Sequence, residues 1–447
     1  MTKEAEPLGL GTDNIGKLLM QYAIPAIIAM TASSLYNITD SIFIGHGVGP
    51  LALSGLAITF PLMNLAAAFG SLVGVGASTL LSIRMGQKDY ESANTILGNV
   101  LVLNLILGIA FTLVTLPFLR FILLFFGAGQ ETLEYAYEFM VIILLGNVFT
   151  HLYFGLNALI RSAGQPQKAM MATIYTVLIN LVLNPLFIFG FHWGIRGSAF
   201  ATIISQVIVL SWQLHFFSNK DYFIHLKKGI YKLQKKIVFE SLSIGMAPFL
   251  MNAASCLIVT LINRQLIKHG GDLAVGAYGI VNRVAFLFVM IVMGLNQGMQ
   301  PIAGYNYGAK LYPRVISVLK KSILYATIIM TAGCAFVELF PRAVASIFTI
   351  EQELIDIAVP GLHWIFAVYP LIGFQMVSSA FFQSIGKPNK SIVLSMTRQV
   401  LILIPILLVL PNYYGITGVW ASISISDFLS VILAGILLWM ELKTKNK

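Results

Sequence analysis

Few residues in this chain could do chemistry, and those few stand in apolar surroundings where each needs a reason. Asp40 ends the run Ser33-Ser34-Leu35-Tyr36-Asn37-Ile38-Thr39-Asp40, with Tyr36 one helical turn earlier on the same face. A carboxylate at this depth serves as a proton or cation site lined by Tyr36 and Asn37, or else it marks a helix end wetted by the outer water layer. Asn180 and Asn184 are again one turn apart and are followed by Pro185. Proline lacks an N–H, so the Leu181 carbonyl loses its helical partner. Two carboxamides and a free carbonyl suit a hard cation or a carboxylic acid, and they also suit plain hydrogen bonding between helices. Thr202 and Asn157 are candidates to close that pocket, each with ordinary packing as the alternative.

Further along lie Arg283 and Asp427, opposite charges that are easiest to bury as a pair. The expectation is that they approach each other near a central cleft. The alternative has Asp427 bonded locally to Ser424 or Ser426 and Arg283 facing water. Tyr278 and Met293, with Phe60, Met63, Phe286, Met290, Tyr369 and Phe381, could line an adaptable apolar cleft, because methionine repacks around different ligands. Each could equally be ordinary packing or lipid contact. Asn263 takes roughly the place of Asp40 in the second half of the chain, so that half lacks the acid.

The elements that hold these residues must be membrane-spanning. Of 447 residues, 57% are hydrophobic and 10% charged, against about 25% charged in a soluble domain. The mean hydropathy is +0.84. Twelve spans are predicted near 17–42, 51–81, 93–119, 134–160, 169–190, 196–217, 238–263, 273–302, 315–340, 355–383, 391–410 and 416–440. With these spans, the termini and even-numbered loops, together with the span ends beside them, carry 21 Lys and Arg and the odd-numbered side five. That asymmetry places both termini in the cytoplasm. It also removes the nucleic-acid reading of the +10 net charge. Six lysines between Lys220 and Lys236 form a basic linker suited to anionic headgroups. The polar opening segment shows no signal-peptide pattern, so the first span is expected to act as its own insertion signal.

The chain also repeats itself. Position n resembles position n + 222: Leu51-Ala52 and Leu273-Ala274; Gly86, Lys88, Tyr90 and Gly308, Lys310, Tyr312; Gly164, Pro166, Lys168 and Gly386, Pro388, Lys390. With a one-residue slip, Pro25 matches Pro248 and Gly194-Ile195-x-Gly197 matches Gly415-Ile416-x-Gly418. Six spans per half make this a parallel repeat about the membrane normal. The predicted fold is all-α integral membrane: two pseudo-symmetric six-helix bundles around a central cleft. The N-terminal lobe is 1–218, the linker 219–237 and the C-terminal lobe 238–447.

Enzyme signatures are missing. There is no P-loop, HExxH, CxxC or GxSxG, the seven histidines are scattered, and Cys256 and Cys334 imply no disulfide framework. A membrane-embedded enzyme such as an acyltransferase would need a clustered constellation that is not visible. No cofactor is expected, and the expected partners are the bilayer and small molecules, with the chain a monomer.

The stretch Gly294-Leu295-Asn296-Gln297-Gly298-Met299-Gln300-Pro301-Ile302-Ala303-Gly304-Tyr305-Asn306-Tyr307-Gly308-Ala309 resembles the end of the eighth helix of MATE (multidrug and toxic compound extrusion) transporters. Arg161-Ser162-Ala163-Gly164-Gln165-Pro166 resembles the loop after their fourth. The resemblance covers nearly the whole chain and is closest to the bacterial DinF/MepA-like branch. It implies an exporter of cationic or amphipathic drugs driven by inward H⁺ or Na⁺, with alternating access between the lobes. It also implies that Asp40 is the coupling acid, with Tyr36, Asn180 and Thr202 around it. Were Na⁺ the ion, Asp40, Asn180 and Asn184 would hold it. Arg283, Asp427, Met293, Gln297 and Tyr278 are the candidates for the substrate cleft. The branch typically reads Asp-Pro where this chain reads Asn184-Pro185, which removes one charge. Cys256 and Gln375 lie near the acids of another branch. A flippase for a lipid-linked oligosaccharide or peptidoglycan precursor is the alternative, with Arg283 the main basic residue for phosphates.

Overall fold

A computed structural model of the chain describes residues 9–445; the start of the polar opening segment and the last two residues lie outside the described residues. The described residues are almost all helical. The principal helices are α1 (Ile15–Gly47), α2 (Pro50–Gly86), α3 (Tyr90–Thr115), α4 (Gln130–Ser162), α5 (Pro166–Pro185), α6 (Gly194–Ser218), α7 (Lys235–Gly308), α8 (Tyr312–Leu339), α9 (Gln352–Ala367), α10 (Tyr369–Ser384), α11 (Pro388–Met396) and α12 (Pro411–Lys445). Prolines open α2, α5, α11 and α12, where a missing N–H costs no intrahelical bond. Asp89 caps α3 by accepting from the Ser92 N–H at 3.1 Å. Its hydrogen bonds with Ser92 hold the carboxyl below the usual range.

Ten of these stretches are long and apolar enough to cross a membrane. The count becomes twelve for two local reasons. The 74-residue α7 is broken at Gly271, whose φ of 67° no ordinary helix residue adopts, so it makes two crossings. α9 and α10 are one crossing bent by 53°. The predicted tenth span is therefore a kinked rod and not a straight one.

The repeat is written into the backbone. Left-handed residues recur at matching places: Gly49 and Gly271, Lys88 and Lys310, Gly164 and Gly386, and, with the one-residue slip, Gly194 and Gly415. The two lysines share a φ of 59°, a conformation that L-residues with a Cβ seldom take. The same turn is thus built twice after α2 and after α7.

The chain forms two compact units. Among the described residues, the first holds 9–13, Ile28–Phe249 and Gly304–Lys310; the second holds Asn14–Ile27, Leu250–Ala303 and 311–445. In the first unit, Val73, Ala77, Leu81, Ile96, Leu97, Leu156 and Phe217 form one buried core, and Ile44, Leu62, Phe139, Leu144 and Ile195 another. The basic linker is stapled to α3. Asn94 Nδ2 donates to the Phe223 carbonyl at 3.0 Å and accepts from the His225 N–H at 2.8 Å. Asn99 reaches the Ile230 and Lys232 carbonyls and the Gln234 N–H.

Also in the first unit, α2 and the end of α7 touch backbone to backbone. A Cβ on Gly86 would stand 2.0 Å from the Tyr305 carbonyl oxygen, and one on Gly308 would stand 2.0 Å from that of Ile83. The two contacts are reciprocal in the n + 222 register. Gly86→Ala should therefore lower stability by about 2 kcal/mol, as overpacking does, seen as a lower apparent Tm in detergent. Gly279→Ala, where a Cβ meets nothing within 4 Å, should hold or raise it. Equal Tm changes at the two sites would contradict the close packing.

Candidate cation-coupling site

Asp40 lies near the end of α1 and is only 7% exposed. It meets α5 and α6. The Asn184 amide donates to its Oδ1, and the Ser198 hydroxyl donates to the same oxygen at 2.5 Å. Among the described residues no hydrogen bond reaches Oδ2. Asn184 also donates to Asn180 Oδ1 at 3.5 Å, and Asn180 donates to Thr202 Oγ1 at 3.4 Å. Thr202 shares a 2.8 Å hydrogen bond with the Tyr36 hydroxyl. A continuous polar chain thus runs Asp40–Asn184–Asn180–Thr202–Tyr36 and returns to α1 one turn from where it began.

Local structure explains how these groups converge. Asn180 and Asn184 share a face of α5 through their four-residue spacing, and both are buried. Pro185 then ends α5 in the π-helical turn Leu186–Gly190. Turns of this kind open the regular ladder and often mark functional positions. On α6, Gly197 packs against Phe187 of that turn, with a hypothetical Cβ 3.0 Å from its backbone. That close approach carries the neighbouring Ser198 to Asp40.

The cluster places one carboxylate among neutral polar groups, an arrangement suited to binding a proton or a cation. Two donors on Oδ1 offset the loss of water around an ionised Asp40. Asn184 Oδ1 is buried with no donor, an oxygen left for a proton-bearing group or a cation. No group of three or more His, Cys, Asp or Glu that could hold a metal occurs among the described residues.

Five predicted residues meet here: Asp40, Tyr36, Asn180, Asn184 and Thr202. Ser198 joins them and was not foreseen, although its four-residue spacing from Thr202 puts both on one face of α6. Asn37 turns away, exposed, and bonds back to the Ser33 carbonyl. Asn157 does not close the pocket. Its amide donates to the Ala169 carbonyl at 3.0 Å and to Thr173, and it accepts from Arg161.

The second unit corrects the predicted charge pair. Asp427 does not meet Arg283; its ionic partner is Arg398, at 3.6 Å. Arg283 is exposed on α7. Helix rotation decides this, because Arg398 lies on the span packed directly against α12. Nor do the neighbouring serines bond the Asp427 carboxylate: Ser424 donates to the Trp364 carbonyl and Ser426 to that of Arg398. Tyr278 is buried, its ring 6.2 Å from that of Trp420, while Met293 and Gln297 are half-buried on α7. A separate cavity of about 560 Å³, lined by Glu138, His192, Trp193, Gly194, Arg196 and Phe200, contains none of the predicted residues.

A family model described as MatE matches residues 25–186 and matches again at 247–409. The chain belongs to the MatE family. The two MatE matches start 222 residues apart, in the register of the repeat. The multidrug export protein MepA of Staphylococcus haemolyticus (strain JCSC1435) is 28% identical over 421 residues, covering 94% of this chain and 92% of that protein. MepA of Staphylococcus aureus (strain NCTC 8325 / PS 47) is 28% identical over 425 residues, covering 95% and 93%. Among solved structures, the outward-facing conformation of a multidrug resistance MATE family transporter of the MOP superfamily aligns with a TM-score of 0.93 at 26% identity over 100% of both chains. A MATE structure in the bent conformation aligns with a TM-score of 0.94 at 26% identity over 99% of each. This MatE chain therefore has the twelve-helix, two-lobe fold expected from its repeat.

Proposed function

We propose that this chain is a secondary transporter that exports amphipathic organic cations across a bacterial cytoplasmic membrane in exchange for protons. The likeness to MepA supports the substrate class, because those relatives are named multidrug export proteins. The exchange reading rests on one observation: a single buried carboxylate, Asp40, held by two donors on one oxygen at the end of a chain of neutral polar groups. Protonation of Asp40 releases the charge that an organic cation needs, so proton and substrate compete for one group. In this reading the two lobes alternate in access, the chain works as a monomer, and both termini face the cytoplasm.

Sodium is the second reading, and the donorless Asn184 Oδ1 favours it. A hard cation takes several oxygens, and Asp40 Oδ2, Asn184 Oδ1 and Asn180 Oδ1 could supply three. Proteoliposomes decide between the two. Export of ethidium is followed with an imposed pH gradient and, separately, with an imposed Na⁺ gradient. Export driven by the pH gradient alone is expected. Export that ignores both gradients would sink the exchange reading, and export driven only by Na⁺ would replace the proton.

A further inference from the structure

The cavity of about 560 Å³ between α4 and the start of α6 takes no part in the Asp40 cluster, although both are built in the first unit. Its volume falls within the roughly 300–1,000 Å³ of small-molecule sites. Its polar wall carries one charge of each sign. Arg196 Nη2 donates to Glu138 Oε1 at 2.7 Å, joining the first turn of α6 to α4, and both side chains reach water. That bond uses one guanidinium nitrogen and one carboxylate oxygen. A guanidinium has five donor hydrogens and a carboxylate about four acceptor positions. Each can therefore take a further partner without leaving the other.

The other wall is aromatic. His192 and Gly194 stand in the left-handed region, at φ 55° and 57°, so the chain turns sharply on both sides of Trp193. That turn folds the indole onto Phe187, Phe191 and Phe200, at ring-centroid distances of 5.0, 5.4 and 5.6 Å. The cluster stays open to the surroundings, with Trp193 46% and Phe191 53% exposed. Half-open aromatic rings with a tryptophan among them are the pattern of a membrane–water interface. The α5–α6 connection also follows five stretches that are each long and apolar enough to cross a membrane. It therefore stands at a membrane surface, on the face opposite the start of α1.

These walls select a ligand. A simple anion would face the Glu138 carboxylate, and a simple cation would face Arg196. A zwitterion with a phosphate and a primary ammonium suits both. The phosphate accepts from the guanidinium fork, and the ammonium donates to Glu138. At a membrane surface the matching molecule is a lipid with an ethanolamine headgroup, because its chains can lie along the exposed rings.

We propose that this cavity binds the headgroup of phosphatidylethanolamine, with Arg196 on the phosphate, Glu138 on the ammonium, and Trp193 and Phe200 beside the glycerol and upper chains. That the lipid belongs to the outer leaflet rests on the topology proposed above; its binding does not.

The test is native mass spectrometry of the full chain titrated with dioleoyl phosphatidylethanolamine, phosphatidylcholine and phosphatidylglycerol. The parent should hold the first about tenfold more tightly than the other two, since one lacks an N–H for Glu138 and the other lacks a cation. Arg196→Gln should weaken all three about tenfold. Glu138→Gln should erase the preference, weakening phosphatidylethanolamine and tightening phosphatidylglycerol. Arg120→Gln breaks another outer ion pair of the same unit, with Glu134 at 2.8 Å, and borders no part of this cavity; it should keep the parent preference. Free phosphoethanolamine, which has no chains, should fail to displace the lipid at equal concentration. Equal retention of the three lipids by the parent would overturn the site. So would an unchanged preference in folded Glu138→Gln and Arg196→Gln protein, equal losses in Arg120→Gln and Arg196→Gln, or displacement by free phosphoethanolamine. None of these outcomes bears on export, which is measured separately in proteoliposomes.

Discussion

Asp40→Asn should abolish gradient-driven export while leaving a folded protein. Asparagine matches aspartate in shape, and its carbonyl oxygen can still accept from Ser198 and Asn184. The polar chain from residue 40 to Tyr36 should therefore form as before. What the variant lacks is an atom that gains and loses a proton. Ethidium export under a pH gradient should fall to the level of empty vesicles, with the apparent Tm close to that of the parent. Proton release on substrate binding gives a second readout. The parent should release a proton where substrate and proton compete for Asp40, and the variant should release none. Export that survives in Asp40→Asn would move the coupling to another group.

Asn184→Asp should make the chain respond to sodium. The new carboxylate would stand beside Asp40, where two negative charges at hydrogen-bond distance cannot both persist without a cation or a shared proton. The buried Asn180 Oδ1 and Asp40 Oδ2 would then complete an anionic cage of oxygens. A ligand that binds only the folded state raises stability by about 2.7 kcal/mol at a concentration 100 times its Kd. Titration with NaCl should raise the apparent Tm of the variant and leave the parent at its value in matched choline chloride. A variant that ignores sodium would show that the cage cannot form. A parent whose Tm rises with sodium would favour the sodium reading for the natural chain.

Much of this architecture was legible before any coordinates. The spans follow from hydropathy and the repeat from glycine and lysine spacing, and the left-handed residues at Lys88 and Lys310 give that spacing its physical basis. The convergence of Asn180 with Asn184, and of Tyr36 with Asp40, could be read from single-turn spacing within each helix. What could not be read was helix rotation. Asp427 and Arg283 looked like partners because both are charges in apolar runs, yet the partner is Arg398, whose direction depends on how the π-helical turn Thr397–Leu403 after α11 lies against α12. Asn157 failed for the same reason. Its face of α4 looks toward Ala169 and Thr173 near the start of α5, two turns before Asn180. Ser198 was hidden by its small size, although spacing could have linked it to Thr202. The breaks at Gly271 and Val368 interrupt long apolar runs without changing their composition, so hydropathy passes over them.

A single coupling carboxylate, as proposed for Asp40, would also limit how steep a gradient the exporter can maintain. In the proposed exchange one proton enters for each monovalent cation that leaves, so no net charge crosses the membrane. The membrane potential then contributes nothing to the driving force, and each unit of pH difference sustains a tenfold concentration ratio, about 1.4 kcal/mol. A dication exchanged for the same single proton would move against the potential. Such compounds should be poor substrates in an energised cell, even where they bind as tightly as monocations.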